Sequence, residues 1–277
     1  MTVWFITGAS RGFGREVALE ALRRGDQVVA TARNTQDLSP LVEIGGEDVL
    51  AVPLDVTSPE QIGEAVAHAK AKFGRIDALF NNAGIGYFAA VEESDDAEIR
   101  RMMEINVFGL AAVTNAVLPG MRDQRNGTIL NVSSVGGIRS FPAVGWYNAT
   151  KFAVEGLSEA LDLEVSPLGI RVVLVEPSGF ATDWAGSSAA EVAPDKEIAD
   201  YAETAGAQRK SFRDNVGKEP GDPALAAKAI VDVAHDAAPP KRLPLGNFAY
   251  DGILEKLDAV RADIAAREAV SRGADRS

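Results

Sequence analysis

Val3-Trp4-Phe5-Ile6-Thr7-Gly8-Ala9-Ser10-Arg11-Gly12-Phe13-Gly14 begins with four apolar residues and runs directly into a glycine-rich turn. A short, continuously apolar run is what a central strand buried on both faces requires. Val17, Ala18, Leu19, Ala21 and Leu22 then follow helical spacing, and Gly25 stops the helix. Gln27 to Ala32 supplies a second strand, so the first 35 residues read as a βαβ unit. Glycines between strand and helix let a ligand approach the backbone closely, and the free N–H groups at the helix start favour an anion. The spacing is G-x-x-x-G-x-G rather than the usual G-x-G-x-x-G. It predicts a dinucleotide cradle built by Gly8, Ser10, Arg11, Gly12, Phe13 and Gly14.

The end of the second strand bears on which dinucleotide. A carboxylate there would hold the ribose of NAD, and an arginine would accommodate the extra phosphate of NADP. The sequence has Ala32-Arg33 and no acid, with Arg11 in the glycine loop able to reach the same place. Two guanidiniums suit a phosphate; the competing reading is a pair of solvated surface arginines. In an acidic chain the pair favours NADP(H) over NAD(H).

Strands recur at 48–54, 76–80, 127–132, 170–176 and 242–246, with helices between them. Ser58 caps and Pro59 starts one helix, a long helix spans 95–121, another runs from Tyr147 to 166, and later helices cover 222–237 and 250–269. Strand and helix in alternation predict a doubly wound α/β fold of Rossmann type, three layers around a parallel sheet of about seven strands. The C-terminal strand edges then carry Asp55-Val56, Asn81-Asn82-Ala83-Gly84 and Ser133-Ser134, on the side where such sheets bind ligands. Asp55 either holds an adenine amino group or closes its own turn. Asn106, inside an apolar helix, is either a satisfied core amide or part of a kink that positions a catalytic water. Trp146-Tyr147-Asn148-Ala149-Thr150-Lys151 sets a phenol and an ammonium four residues apart on one helix face. The cation would favour the phenolate and make Tyr147 a better acid and base.

Composition narrows the classes. The 277 residues are 46% hydrophobic and 25% charged, enough to bury a full core. Without cysteine there is no disulfide, thiolate nucleophile or zinc-thiolate site. His68 and His235 sit in alanine-rich helical runs without ligand partners, so neither a Ser-His-Asp triad nor a metal site is expected. A net charge of −12 disfavours nucleic acid and anionic membrane as partners. No apolar run approaches the roughly 18 residues of a bilayer span, and the N-terminus lacks a signal-peptide pattern. A cytoplasmic location is the expectation.

Thr7-Gly8-x3-Gly12-x-Gly14, Asn81-Asn82-Ala83-Gly84, Asn106, Ser134 and Tyr147-x3-Lys151 together resemble the short-chain dehydrogenase/reductase family, over about residues 1 to 185. Ser134, 13 residues before Tyr147, has the family spacing and is preferred to Ser133. The resemblance implies that Tyr147 is the acid/base and that Ser134 binds the substrate oxygen. Lys151 lowers the tyrosine pKa and binds the nicotinamide ribose, and Asn106 holds a water that links the lysine to solvent. It makes Asp55 the adenine contact and lines the adenosine ribose with Asn82, Ala83 and Gly84. Pro177 and Thr182 keep the spacing of the loop after the sixth strand, where Thr182 meets the carboxamide. Ser178 replaces the usual glycine, with Gly179 next to it, which raises the question of whether this loop needs a positive φ.

The implied activity is NADP-dependent interconversion of a carbonyl and an alcohol on a small molecule. Trp184 and Phe180 point to a partly hydrophobic one. Dehydration or epimerisation with a retained cofactor, and nucleotide sensing without catalysis, are the alternatives. One domain is expected over 1–277, with 183–216 a lid that is flexible to Pro194 and helical beyond it. Residues 247–277 form a C-terminal extension, polar and frayed from Ser271. This tail resembles the hydroxysteroid and retinol dehydrogenase branch. By the same resemblance, the helices at 95–121 and 147–166 would join a homodimer or homotetramer.

Overall fold

Short apolar strands that alternate with helices bury their two faces only if helices cover both sides of one sheet. The computed structural model, which describes residues 1–275, has this arrangement. Its first part is β1 (Val3–Ile6), α1 (Gly12–Arg23), β2 (Gln27–Ala32), α2 (Ser39–Gly45), β3 (Val49–Pro53) and α3 (Pro59–Phe73). There follow β4 (Ala78–Asn81), β5 (Gly86–Phe88), α4 (Asp96–Met103), α5 (Leu110–Gln124), β6 (Gly127–Val132), α6 (Gly145–Val165) and β7 (Ile170–Pro177). The chain ends with β8 (Ala189–Glu191), α7 (Ala207–Asp214), α8 (Pro223–His235), β9 (Arg242–Leu245), α9 (Asn247–Ala265) and α10 (Glu268–Arg272).

The main sheet has seven strands in the order β3-β2-β1-β4-β6-β7-β9. Every neighbouring pair is parallel. Strand order reverses between β1 and β4, which opens a crevice at their C-terminal ends. Alternate residues of each strand feed two cores. Trp4, Ile6, Val28 and Phe80 pack with Val17, Ala18 and Ala21 of α1 and Ile230 and Val231 of α8. Phe5, Val29, Leu79 and Ile129 pack with Ile62, Ala65 and Val66 of α3 and Val113 and Val117 of α5.

The expected long helix 95–121 is a rod from Asp96 to Gln124, interrupted by a π-helical turn over Glu104–Gly109 that contains Asn106. By length and composition alone this rod is apolar enough to cross a membrane, as the core helix of a globular fold can be. Its inward face carries Val113, Val117 and Met121 into the core under the sheet.

One correction concerns the segment expected to form a lid. Residues 183–194, expected to be flexible, include β8, which pairs in parallel with β5 as a separate two-stranded sheet. Neither three-residue strand has enough periodicity to be seen in sequence. The predicted tail 271–277 starts within a last helical turn, α10, and positions 276 and 277 lie outside the described residues.

Candidate active site

The crevice at the reversal point is a cleft of about 470 Å³, lined from the ends of β1, β2, β3, β4, β6 and β7, the segment 182–188, the rod near 101–105 and α6. Its floor depends on backbone that only glycine supplies. Gly8 and Gly12 have φ of +68° and +54°, a region that L side chains seldom occupy. A Cβ on Gly14 would lie 2.3 Å from the Gly8 carbonyl oxygen. Gly14 therefore does not line the cleft; it lets α1 sit against the turn. Arg11 precedes α1 in an extended conformation, no side chain caps the helix, and its first turn holds no acid. The first N–H groups of α1 are thus left for an anionic ligand, and the loop fits a dinucleotide phosphate.

Thr7 ties this turn to the end of β4. Its hydroxyl accepts from the backbone N–H groups of Asn82 and Ala83, at 2.9 and 3.0 Å. The Asn82 amide donates to the Thr7 and Gly8 carbonyls, each at 3.0 Å. Asn82, Ala83 and Gly84 line the cleft as expected, yet the Asn82 donor is already used to hold the glycine turn. Asp55 accepts from the Thr57 N–H and hydroxyl at 2.9 and 2.7 Å. One carboxylate oxygen thereby closes the local turn, and these bonds hold the carboxyl below its usual range, with help from Arg33. Asp55, Val56 and Arg33 all face the cleft.

Arg11 and Arg33, expected together, are separated in role here. Arg33 is exposed beside Asp55. Arg11 turns toward the lid, donating to Asp183 at 3.0 Å and to the Ser187 hydroxyl at 2.8 Å. Ser10, Gly12 and Phe13 line the cleft, and Phe13 meets Phe180 edge to face at 5.0 Å.

α6 brings together the side chains expected to react. Tyr147 and Lys151 lie one turn apart and both are buried. The Lys151 ammonium donates to the Val132 carbonyl at 2.8 Å and stands 5.5 Å from the Tyr147 ring centre. Trp184 from the lid covers the same ring at 4.8 Å. Burial therefore drives the phenol above its ordinary value, and the nearby Ser134 hydroxyl opposes that only in part. Burial beneath Trp184 is the larger influence on the phenol, and of its neighbours it is Ser134, not Lys151, that acts against it. Burial also brings Lys151 down to about 8, against an upward pull from Glu155. The Ser134 hydroxyl accepts from the Gly136 N–H at 3.0 Å, which sets the turn that carries it.

Asn106 proves to be a clamp. Its Oδ1 accepts from the Ile85 N–H at 2.9 Å, and its Nδ2 donates to the Ile85 carbonyl and the Thr150 hydroxyl, at 2.9 and 3.2 Å. The side chain thus locks the loop after β4 onto α6, and the π-helical turn around it displaces the carbonyls of the rod from their α-helical partners.

Pro177 and Thr182 line the cleft, and Gly179 faces Glu219 instead. Ser178 is not among the positive-φ residues, so its loop needs no glycine there. The left-handed turn lies across from it at Gly246, φ +90°, where a Cβ would come within 2.4 Å of the Ser178 hydroxyl. Both histidines are away from the cleft: His235 bonds Asp26 at 2.8 Å, and His68 is exposed on α3.

Sequence reasoning missed Ile85, Arg101, Glu104 and Ser188, which also line the cleft. It also missed Asn148, whose amide donates to the Gly136 carbonyl and accepts from the Phe141 N–H, at 3.0 Å each. The one available signal was a buried-face amide adjacent to Tyr147.

Comparison with known proteins agrees with this geometry. Residues 2–193 match the family model described as short chain dehydrogenase. The chain is 43% identical over 250 residues to oxidoreductase BOA17 of Botryotinia fuckeliana, covering 90% of each. The crystal structure of a short-chain dehydrogenase from Streptomyces avermitilis superposes with a TM-score of 0.91 at 43% identity, over 99% of this chain and all of that one. A 3-ketoacyl-(acyl-carrier-protein) reductase from Brucella melitensis, complexed with NADH, superposes at 0.74 and 30% identity, over 88% of this chain and 96% of that one.

Proposed function

This chain belongs to the short-chain dehydrogenase/reductase family of NAD(P)-dependent oxidoreductases, and from that premise we propose that it interconverts a small, partly hydrophobic ketone or aldehyde with its alcohol, using NADP(H). The observation that carries the reading is the buried Tyr147 phenol, flanked by Ser134 and Lys151 and covered by Trp184. Reduced nicotinamide, when bound, supplies the hydride to the carbonyl carbon. Ser134 holds the carbonyl oxygen by a hydrogen bond, and Tyr147 gives that oxygen its phenolic proton as negative charge develops on it. Lys151 stabilises the phenolate left behind and, one turn along α6, would hold the nicotinamide ribose.

A neutral phenol at rest suits the reductive direction, because the proton to be donated is in place. Trp184 lies over Tyr147 and is backed edge-on by Phe88 and Phe212, an apolar setting that favours an uncharged substrate. The Brucella reductase binds NADH; preference for the phosphorylated form here rests on Arg33 and on the lack of an acid at the end of β2. Thr182 is assigned the carboxamide. A homo-oligomer through the 96–124 rod and α6 is supported by the exposed Phe108, Phe152 and Leu163; a monomer in light scattering would refute it.

The test is to titrate NADPH and NADH against protein fluorescence and then to follow NADPH oxidation with a panel of apolar ketones and aldehydes. Tyr147→Phe should leave NADPH binding intact and lower kcat by about 10²- to 10⁴-fold. Arg33→Asp should weaken NADPH and not NADH. Turnover that survives Tyr147→Phe removes the mechanism, and equal affinity for both nucleotides removes the cofactor assignment.

A further inference from the structure

One group of buried charges has no part in the mechanism above. Glu155 lies on α6 one turn beyond Lys151, with 7% of its side chain exposed, and Glu176 at the end of β7 has none. Arg242 of β9 reaches both, its Nη1 lying 2.5 Å from an oxygen of each carboxylate, and its other nitrogen pairs with the exposed Glu159. The remaining Glu155 oxygen accepts from the Ser133 hydroxyl in a short bond. Ser133 is 1% exposed and immediately precedes Ser134.

The turn that follows is built against the same group. A Cβ on Gly137 would fall 2.5 Å from the Ser133 hydroxyl oxygen and 3.0 Å from Glu155 Cγ. Burying two carboxylates with one guanidinium is expensive for stability, and replacement by apolar residues would commonly be neutral or better. Stability alone does not explain the cluster. Its reach does: one end bonds the turn that carries Ser134, and the other places a negative charge a helical turn from Lys151.

We propose that Glu155, held by Arg242, is a positioning residue that fixes the Ser133–Gly137 turn and supplies the compensating charge for Lys151. This rests on the carbonyl-reductase reading for its consequences in turnover, and not for its electrostatics. Lys151 faces Tyr147 and Glu155 on its own helix and the Val132 carbonyl on β6, and it shares the cleft with Arg101 and Glu104. Glu155 is the neighbouring charge that pulls the Lys151 pKa upward against burial. Glu155 itself faces Ser133, Arg242, Glu159 and Glu176.

The test uses full-length protein labelled with [¹³C]lysine, and the Lys151 Cε resonance is assigned by its absence in Lys151→Met. In Glu155→Gln the Lys151 titration midpoint should fall by about one pH unit, the order expected for loss of one unit charge at this range. Glu155→Asp, which keeps the charge, should restore it. An unmoved midpoint in Glu155→Gln overturns the electrostatic role. This arm needs neither cofactor nor substrate, so a lowered midpoint without any wild-type turnover sustains it while refuting the reaction.

With a carbonyl substrate, the alkaline limb of kcat should move to lower pH in Glu155→Gln by the same interval. Ser133→Ala, a small change that leaves the charges intact, covers the case in which Glu155→Gln does not fold. It should lower kcat about tenfold, with the Lys151 midpoint and NADPH affinity unchanged, and amide exchange at Gly136 and Gly137 should quicken. Full kcat and unchanged exchange in Ser133→Ala overturn the positioning of the turn.

Discussion

The two walls of the cleft are built on different physical principles. The nucleotide wall is backbone against backbone: Gly8 and Gly12 in the left-handed region, Gly14 with no room for a Cβ, and Thr7 bonding the N–H groups of Asn82 and Ala83. The opposite wall, formed by 182–188 and backed by β5, β8 and α7, is side chain against backbone. Arg213 of α7 donates to the carbonyls of Ala185, Gly186 and Ala189, pairs with Glu191 and lies 4.8 Å over the Phe88 ring. Trp184 and Phe212 complete that wall by aromatic contact. A wall of main-chain atoms holds one shape for an invariant phosphate group. A wall hung from one arginine can change shape without disturbing the first.

The largest expected effect tests the rigid wall. Gly14→Ala places a methyl carbon against the Gly8 carbonyl and 2.7 Å from the Asn82 amide nitrogen. The first neighbour is backbone and the second is held by its bonds to the Thr7 and Gly8 carbonyls, so the turn or α1 must shift. Overpacking of this kind costs about 3 kcal/mol, and NADPH affinity should drop at least about tenfold as the free N–H groups of α1 lose their aim. Thermal melting and fluorescence titration check this. Wild-type affinity in a stable Gly14→Ala protein would show that the turn is as adaptable as the lid.

A smaller and different response is expected from the lid. Arg213→Ala removes one side chain's ties to four places in 185–191 but leaves β5, β8 and the main sheet in place. Stability should fall by about 1–2 kcal/mol. KM for a carbonyl substrate should rise several-fold while the NADPH dissociation constant stays within about twofold, and limited proteolysis should begin within 183–194. Loss of NADPH binding to the same extent as KM would mean that the Arg11 contacts to Asp183 and Ser187 couple the walls into one unit.

The same contrast governs what could be read from sequence. The seven strands, the glycine turn and the Tyr147–Lys151 pair rest on local patterns: an apolar run, a glycine spacing, a four-residue interval on a helix. The lid rests on meetings between residues far apart in the chain, such as Arg213 with Ala185 or β5 with β8, and no local period encodes them. Asn106 illustrates the boundary. Its place in an apolar helix marked it as a residue in need of partners, and only the fold reveals that Ile85 and Thr150 are those partners and that the rod has a π turn there. Likewise the pairing of Tyr147 with Lys151 was legible, but the ionisation of the phenol was not, because it depends on Trp184, 37 positions later in the chain, closing over it.

Glu176 stands at the end of β7, where the sheet gives way to 178–188, and it gives an effect that depends on pH and has the sharpest sign. Burial, with the negative charge of Glu155 beside it, raises its carboxyl to about 7, and Arg242 opposes this only partly. One of its oxygens has no hydrogen-bond partner, so the ionised form is only partly satisfied there. In the unfolded chain the group titrates near its ordinary value of 4.5. Between these two values the folded protein therefore holds a proton that the unfolded chain has lost, and stability must fall as pH rises from about 4.5 to about 7. Glu176→Gln removes that slope. Its Tm, equal to or below the wild type at pH 5, should gain on it by about 5 °C by pH 7.5. Parallel Tm curves for the two proteins would mean that Glu176 is ionised throughout and that Arg242 fully compensates both carboxylates, which would make the junction as rigid as the nucleotide wall.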